Sequence, residues 1–155
     1  MEISLRRATA HDSEILWAWR NDYETRMASV NSEPVPWPEH IMWFGKSLTM
    51  PERKIYIAEH RETPVGTVRF DYLNDSAELS WTIAPEHRGK GYGVAMLRAA
   101  IAKEPNLDLY AIIKMDNGAS LRVAQAAGFY FDKMQNNLGV WKIDKRRGDG
   151  PGNAA

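Results

Sequence analysis

The chain alternates between two hydrophobic periods, and each change of period marks an element. Ile3 and Leu5 alternate with polar neighbours, which predicts an opening strand ending near Ala8. His11-Asp12-Ser13 supplies a helix start, with Ile15, Leu16 and Trp19 recurring at helical spacing as its buried stripe. Arg20-Asn21-Asp22 interrupts that pattern, and a short second piece is expected from Tyr23 to about Ala28. Pro34 and Pro36 punctuate a loop. Pro38 and Glu39 then open a helix to about Leu48, because proline is tolerated in a first turn and an acid complements the peptide dipoles there. Its expected core stripe is Ile41, Phe44 and Leu48. His40, Trp43 and Ser47 fall on an adjoining face, from which they can project together into a cavity.

From Lys54 the period becomes that of strands. Ile55 to Ala58, Val65 to Tyr72 and Ala77 to Ala84 are rich in β-branched and aromatic residues. Turn residues at Glu62-Thr63-Pro64 and Asn74-Asp75 separate them, so an antiparallel meander is expected. There follow a helix from Val94 to Ala102, a short apolar strand from Leu109 to Lys114, and a helix from Asn117 to Ala127 stopped by Gly128. Strands near Phe129 to Met134 and Val140 to Ile143 close the pattern. The fold class expected is α/β (α+β), a single domain over 1–144. It has a mixed, mostly antiparallel twisted sheet of about seven strands flanked by about four helices, and 145–155 form a flexible tail.

Composition removes several classes. With 155 residues, 44% of them hydrophobic, the chain can bury one proper core and is too short for two ordinary domains. Lys plus Arg equals Asp plus Glu at 20 each, so nothing points to nucleic acid as a partner. The absence of cysteine excludes a disulfide framework, a thiol nucleophile and a cysteine metal site, and no metal is expected. No apolar run reaches membrane-spanning length and no signal-peptide pattern is present, so a cytoplasmic protein without a membrane partner is expected. No pattern marks the oligomeric state, and a homodimer stays open.

The candidate chemistry lies between the strand ending at Ala84 and the helix starting at Val94. Arg88-Gly89-Lys90-Gly91-Tyr92-Gly93 places three alternate glycines where a strand hands over to a helix. Such a loop exposes successive backbone N–H groups at the positive end of the helix dipole, which suits a phosphate or pyrophosphate. A P-loop would end in Gly-Lys-Ser or Gly-Lys-Thr, but Lys90 is followed by Gly91 and Tyr92. A dinucleotide turn would set its third glycine one residue later and close the next strand with an acid, whereas Asp108 opens it. A tight turn without a ligand remains the local alternative.

In its Arg-Gly-x-Gly-x-Gly form the loop resembles the acetyl-coenzyme A pyrophosphate loop of the GCN5-related N-acetyltransferase superfamily, and the order of elements is that of this family. A second motif, Asn117-Gly118-Ala119-Ser120 followed by Ala127-Gly128-Phe129, looks like the coenzyme-binding helix of the branch that includes ribosomal-protein N-terminal acetyltransferases. The resemblance implies a coenzyme site made of Trp81, Thr82, Ile83, Arg88, Gly89, Lys90, Gly91, Tyr92, Gly93, Asn117 and Ser120, with Asn117 and Ser120 bonding the pantetheine arm. Read locally, Asn117 is a helix N-cap and Gly128 a helix stop, which can coexist with a ligand role.

Acetyl transfer to an alkylamine of pKa about 10.4 needs a base at neutral pH. The candidate is Glu78, since family members often carry a glutamate there with a bridging water. The alternative is a surface glutamate on a polar strand face shared with Ser80 and Thr82. Backbone N–H groups at Trp81 to Ile83 would meet the oxyanion, which requires a local bulge in the strand. Where the family usually has a tyrosine acid, seven residues after the asparagine, this chain has Ala124. A thiol of pKa about 8.5 leaves passably as thiolate, and Ser120 or water could supply the proton, with Tyr130 a weaker candidate.

The amino-terminal third, with Arg20-Asn21-Asp22, Arg26 and Pro38 to Phe44, resembles the subgroup that acetylates nucleotide-linked amino sugars in pseudaminic acid biosynthesis. That resemblance implies Arg20 and His40 on the nucleotide part, Trp81 lining the pocket and Trp43 beside it, with the sugar 4-amino group as acceptor. Locally, Arg20 could cap a helix and Trp43 could be core. A protein N-terminus as acceptor, or a non-catalytic coenzyme A-binding module, are the competing readings.

Overall fold

The computed structural model describes residues 1–145, so the expected tail, apart from Lys145, lies outside the described residues. The elements are β1 (Ser4–Arg7), α1 (Ser13–Asn21), α2 (Tyr23–Ala28), α3 (Trp37–Ser47), β2 (Arg53–His60), β3 (Thr63–Leu73), β4 (Ser76–Ile83), α4 (Tyr92–Lys103), β5 (Asp108–Lys114), α5 (Gly118–Ala127), β6 (Tyr130–Gln135) and β7 (Leu138–Ile143). Among the described residues there are five α-helices rather than about four. The extra one exists because Asp22, with ψ 136°, breaks α1 and then caps α2 by accepting the Thr25 N–H at 3.1 Å.

One seven-stranded sheet runs in the order β1-β2-β3-β4-β5-β7-β6, antiparallel everywhere except between β4 and β5. The β2–β3 turn is tighter than expected. Arg61 and Glu62 both take positive φ, 51° and 68°, so Thr63 and Pro64 belong to β3. Alternation along β2 separates two cores. Tyr56 and Ala58 join Val68, Phe70, Leu79, Met96, Leu97 and Ala124 under α4 and α5. Ile55 and Ile57 join Leu16, Trp19 and Phe44 under α1 and α3.

Helix α3 is rotated from its expected register. Phe44 is buried and Leu48 packs against the core, but Ile41 is 39% exposed while His40 and Ser47 are buried. Burial of these polar side chains is possible because each has a partner. The Ser13 carbonyl lies 2.9 Å from His40 Nε2, and Arg53 Nη1 donates to Ser47 Oγ at 2.9 Å.

Candidate active site

The sheet opens at its one parallel junction. β4 and β5 pair only at Ser76↔Asp108, Ala77↔Leu109 and Glu78↔Tyr110, after which β4 stays with β3 and β5 with β7. Ala84 donates its N–H to Val65 of β3, and amide direction alternates along a strand, so the N–H groups of Trp81 and Ile83 face the opened gap. The expected bulge is absent, since the β3–β4 register runs unbroken from Gly66↔Ile83 to Leu73↔Ser76. Parting of the neighbouring strand, rather than a distortion of β4, frees these donors.

A cavity opens on each side of the gap. One, of about 720 Å³, is walled by Arg88, Gly89, Gly91, Tyr92, Gly93, Thr82, Ile83 and the start of α5. Gly89 and Gly91 take φ of 74° and 84°, where a side chain would be strained, and Gly91 caps α4 with no side-chain bond to its free N–H groups. A Cβ on Gly93 would meet Val123 at 3.1 Å, so that glycine lets α4 approach α5. Two glycines therefore shape the loop and the third packs the helix it opens. Lys90 is exposed and does not line this cavity.

Arg88 is engaged by α2. It donates to Asp22 Oδ2 at 3.0 Å, Thr25 Oγ1 at 2.7 Å and Glu24 Oε2 at 3.2 Å. Burial pushes the Asp22 carboxyl up, but the Thr25 N–H and Arg88 outweigh it and hold it below its ordinary value. The far end of α2 is held from the other side of the gap, by Lys114 Nζ to the Met27 carbonyl at 2.8 Å and Asn117 Nδ2 to the Ala28 carbonyl at 3.5 Å. Asn117 Oδ1 meanwhile caps α5 through the Ser120 N–H at 3.1 Å. No local pattern in the sequence marks Asp22, Glu24, Thr25 or Lys114 as members of this site, because their partners are remote in the chain.

The second cavity, of about 700 Å³, lies on the α1–α3 side and is lined by Arg20, His40, Trp43, Arg69, Glu78 and Lys114 among others. Trp81, Thr82, Asn117 and Ser120 line both cavities, so the two meet at the gap. Burial raises the Glu78 carboxyl above its ordinary value, Asp71 adds to this and Arg69 opposes it. Trp81 packs against Phe129 with ring centroids 6.2 Å apart, half-buried at the junction. Trp43 is 39% exposed and lies under the guanidinium groups of Arg53 and Arg69, at 5.5 and 5.6 Å, rather than in the core. Arg20 does not cap its own helix; Nη2 donates to the Asn31 carbonyl at 2.9 Å.

His40 lines this cavity and is held by α1: a carbonyl only accepts, so Nε2 carries the proton toward Ser13, and burial lowers the ring pKa, leaving Nδ1 as an acceptor. Tyr130 lines neither cavity and donates to Asp144 at the sheet edge. Ala124 is fully buried in the core, with no polar atom to offer a leaving thiolate. Among the described residues no group of three His, Asp or Glu side chains is placed to hold a metal, and no helix is long and apolar enough to cross a membrane.

A parted parallel strand pair, a glycine loop opening a helix and two cavities joined at the gap are the arrangement that the resemblance to acetyl-coenzyme A-dependent transferases implies. The chain belongs to the acetyltransferase family described as Acetyltransferase (GNAT) domain, whose model matches residues 2–130. It is 31% identical over 138 residues, 82% of this chain and 83% of the relative, to YwnH of Bacillus subtilis (strain 168), provisionally named a phosphinothricin acetyltransferase. The fold superposes on a spermidine N-acetyltransferase from Vibrio cholerae in complex with CoA and spermine, with TM-score 0.81, 20% identity and 92% and 95% of the two chains covered. It also superposes on AAC(6')-Ib in complex with acetyl-CoA, with TM-score 0.82, 17% identity and 95% of both chains covered. The protein is therefore an acyltransferase whose donor is acetyl-coenzyme A. The names of these relatives point to other acceptors than those of the two narrower branches that the sequence resembles.

Proposed function

We propose that this chain acetylates the primary amine of a small molecule by direct attack on the thioester while both substrates are bound. The observation that carries this reading is the meeting of the two cavities at Trp81, Thr82, Asn117 and Ser120, beside backbone N–H groups with no strand to pair with. Coenzyme A would lie with its pyrophosphate on the N–H groups of Gly89 to Gly93 and its pantetheine arm along the gap toward Asn117 and Ser120. The thioester carbonyl would then take the N–H groups of Trp81 and Ile83 as charge develops on its oxygen. Glu78 receives the ammonium proton. It sits three residues from Trp81 on a strand rising about 3.3 Å per residue, so the transfer passes through water. Ser120 or water protonates the thiolate.

The finer reading, an amino sugar linked to a nucleotide, is supported by Arg20, Trp43 and Trp81 on the acceptor cavity, where a guanidinium suits a diphosphate and indoles suit a sugar or base face. The name of the B. subtilis relative favours a second acceptor, an amino acid of the phosphinothricin type. Release of coenzyme A thiol from acetyl-coenzyme A, followed with nucleotide amino sugars, amino acids, polyamines and N-terminal peptides, separates these acceptors. Turnover with a small amine is expected. Tight coenzyme binding without release for any acceptor would overturn the proposal in favour of a non-catalytic module.

A further inference from the structure

A guanidinium is permanently charged and carries five N–H donors, so enclosing it without a counter-charge is costly. Arg6, Arg53, Arg69 and Arg88 each have a carboxylate partner. None of the ion pairs among the described residues includes Arg20 or Arg26. Arg26 spends its donors on the Asn21 and Ser32 carbonyls, at 3.3 and 3.0 Å. Arg20 gives Nη2 to the Asn31 carbonyl, while Nη1 is buried with no hydrogen-bond partner.

The surroundings of Arg20 add positive charge rather than remove it. Burial lowers its affinity for its own proton, and Arg26 and Arg69 lower it further. Arg69 and Arg53 share one carboxylate, Asp71, at 2.9 and 2.6 Å, so that pair leaves a charge over as well. Arg20 and Arg69 line the acceptor cavity together with Glu78. Charged side chains lining the cavity are Arg20, Arg69 and Lys114 against Glu39 and Glu78, so the cations are in excess by one, and Arg20 is in no ion pair among the described residues.

We propose that the acceptor is an amine bearing an anionic group, a carboxylate, phosphinate or phosphate, which docks against Arg20 and Arg69. Polycationic amines are poor acceptors for the same reason, since a second ammonium group would face guanidinium charge. The inference rests on the acceptor cavity serving an amine, as proposed above, and extends that reading to the other end of the substrate.

The test is calorimetric binding to the protein loaded with coenzyme A, using amines that differ by one charged group. Norvaline against butylamine isolates a carboxylate, and 2-aminoethyl phosphate against ethanolamine isolates a phosphate. L-phosphinothricin and a nucleotide-linked amino sugar extend the series, and spermidine is the polycation. The anionic member of at least one pair is expected to bind about 10²-fold tighter, the scale of charge-assisted hydrogen bonds, and the better pair identifies the anion. Arg20→Met should bring that ratio to within a few-fold, and Arg20→Lys should restore part of it. Equal affinities within both pairs of the wild-type protein, or tighter binding of spermidine than of any anionic amine, would overturn the proposal without need of a variant. Anion-selective binding with no acetyl release would leave this inference standing and overturn the catalytic reading alone.

Discussion

The two sides of the gap, proposed above to hold donor and acceptor, are built by different means. On the donor side the loop is shaped by backbone: two glycines in the left-handed region, a helix start with no side-chain cap, and a third glycine that lets α4 meet α5. These three glycines are neighbours in the chain, although side chains of α2 and α5 complete the wall. The acceptor cavity is formed by side chains from α1, α3, β3, β4 and β5, with charges of both signs that are far apart in sequence. A surface of that kind can change its specificity one residue at a time while the donor side keeps its geometry. The same fold scaffold accordingly serves relatives named for spermidine, aminoglycoside and phosphinothricin acetylation.

Glu78→Gln gives the largest expected effect on the acceptor side. Turnover should fall by about 10²-fold or more, the usual worth of a general base, with coenzyme affinity unchanged. Because the base works ionised, wild-type kcat/KM should rise with pH until Glu78 has lost its proton, and the variant should lose that limb. Stability runs the other way. The folded-state pKa of Glu78 is raised, so its favourable contribution is present below the unfolded pKa and is lost as pH rises through the folded one. Glu78→Gln should therefore raise the Tm at pH 7 and leave it little changed at pH 3. A variant with the wild-type pH–rate profile would remove Glu78 as base.

On the donor side, Gly91→Val should act on the coenzyme and spare the acceptor. A β-branched residue at φ 84° costs about 1–2 kcal/mol in backbone strain, and a distorted loop should raise the KM for acetyl-coenzyme A by about tenfold or more. Should KM for the amine rise equally, the division between the two sides would fail. Asn117→Ala removes the cap of α5 and is expected to cost about 1 kcal/mol of stability in urea unfolding, together with weaker coenzyme binding.

The smallest effect sharpens the donor side. Asp22 holds Arg88 at 3.0 Å, and asparagine caps a helix as well as aspartate does. Asp22→Asn should keep α2 and release charge on Arg88 for the pyrophosphate, tightening coenzyme A binding by a few-fold at low salt. Weaker binding would mean that the carboxylate orients Arg88 rather than competing for it.

How much of this was legible beforehand follows the same division. The seven strands, the glycine loop and the Asn117 and Gly128 ends of α5 could be read from local pattern, because turn chemistry and capping involve residues a few positions apart. Helix α3 was misjudged by its apolar stripe: Ile41 reads as core, yet His40 and Ser47 are the buried residues, each satisfied by a partner from another element. The bulge expected in β4 was likewise the wrong device, since the donors are freed by where β5 stops pairing.

The amino-acid sequence by itself determined the order of elements and the glycine loop, because hydrophobic period and glycine conformation act within a few residues. Only the tertiary structure decided that β4 and β5 part beyond Glu78 and that Arg88 is clasped by α2. It also decided that Arg20 lies among other arginines and in no ion pair of the described residues. Those facts depend on electrostatic and steric contacts between segments that the fold alone brings together, and the acceptor proposed above rests on them.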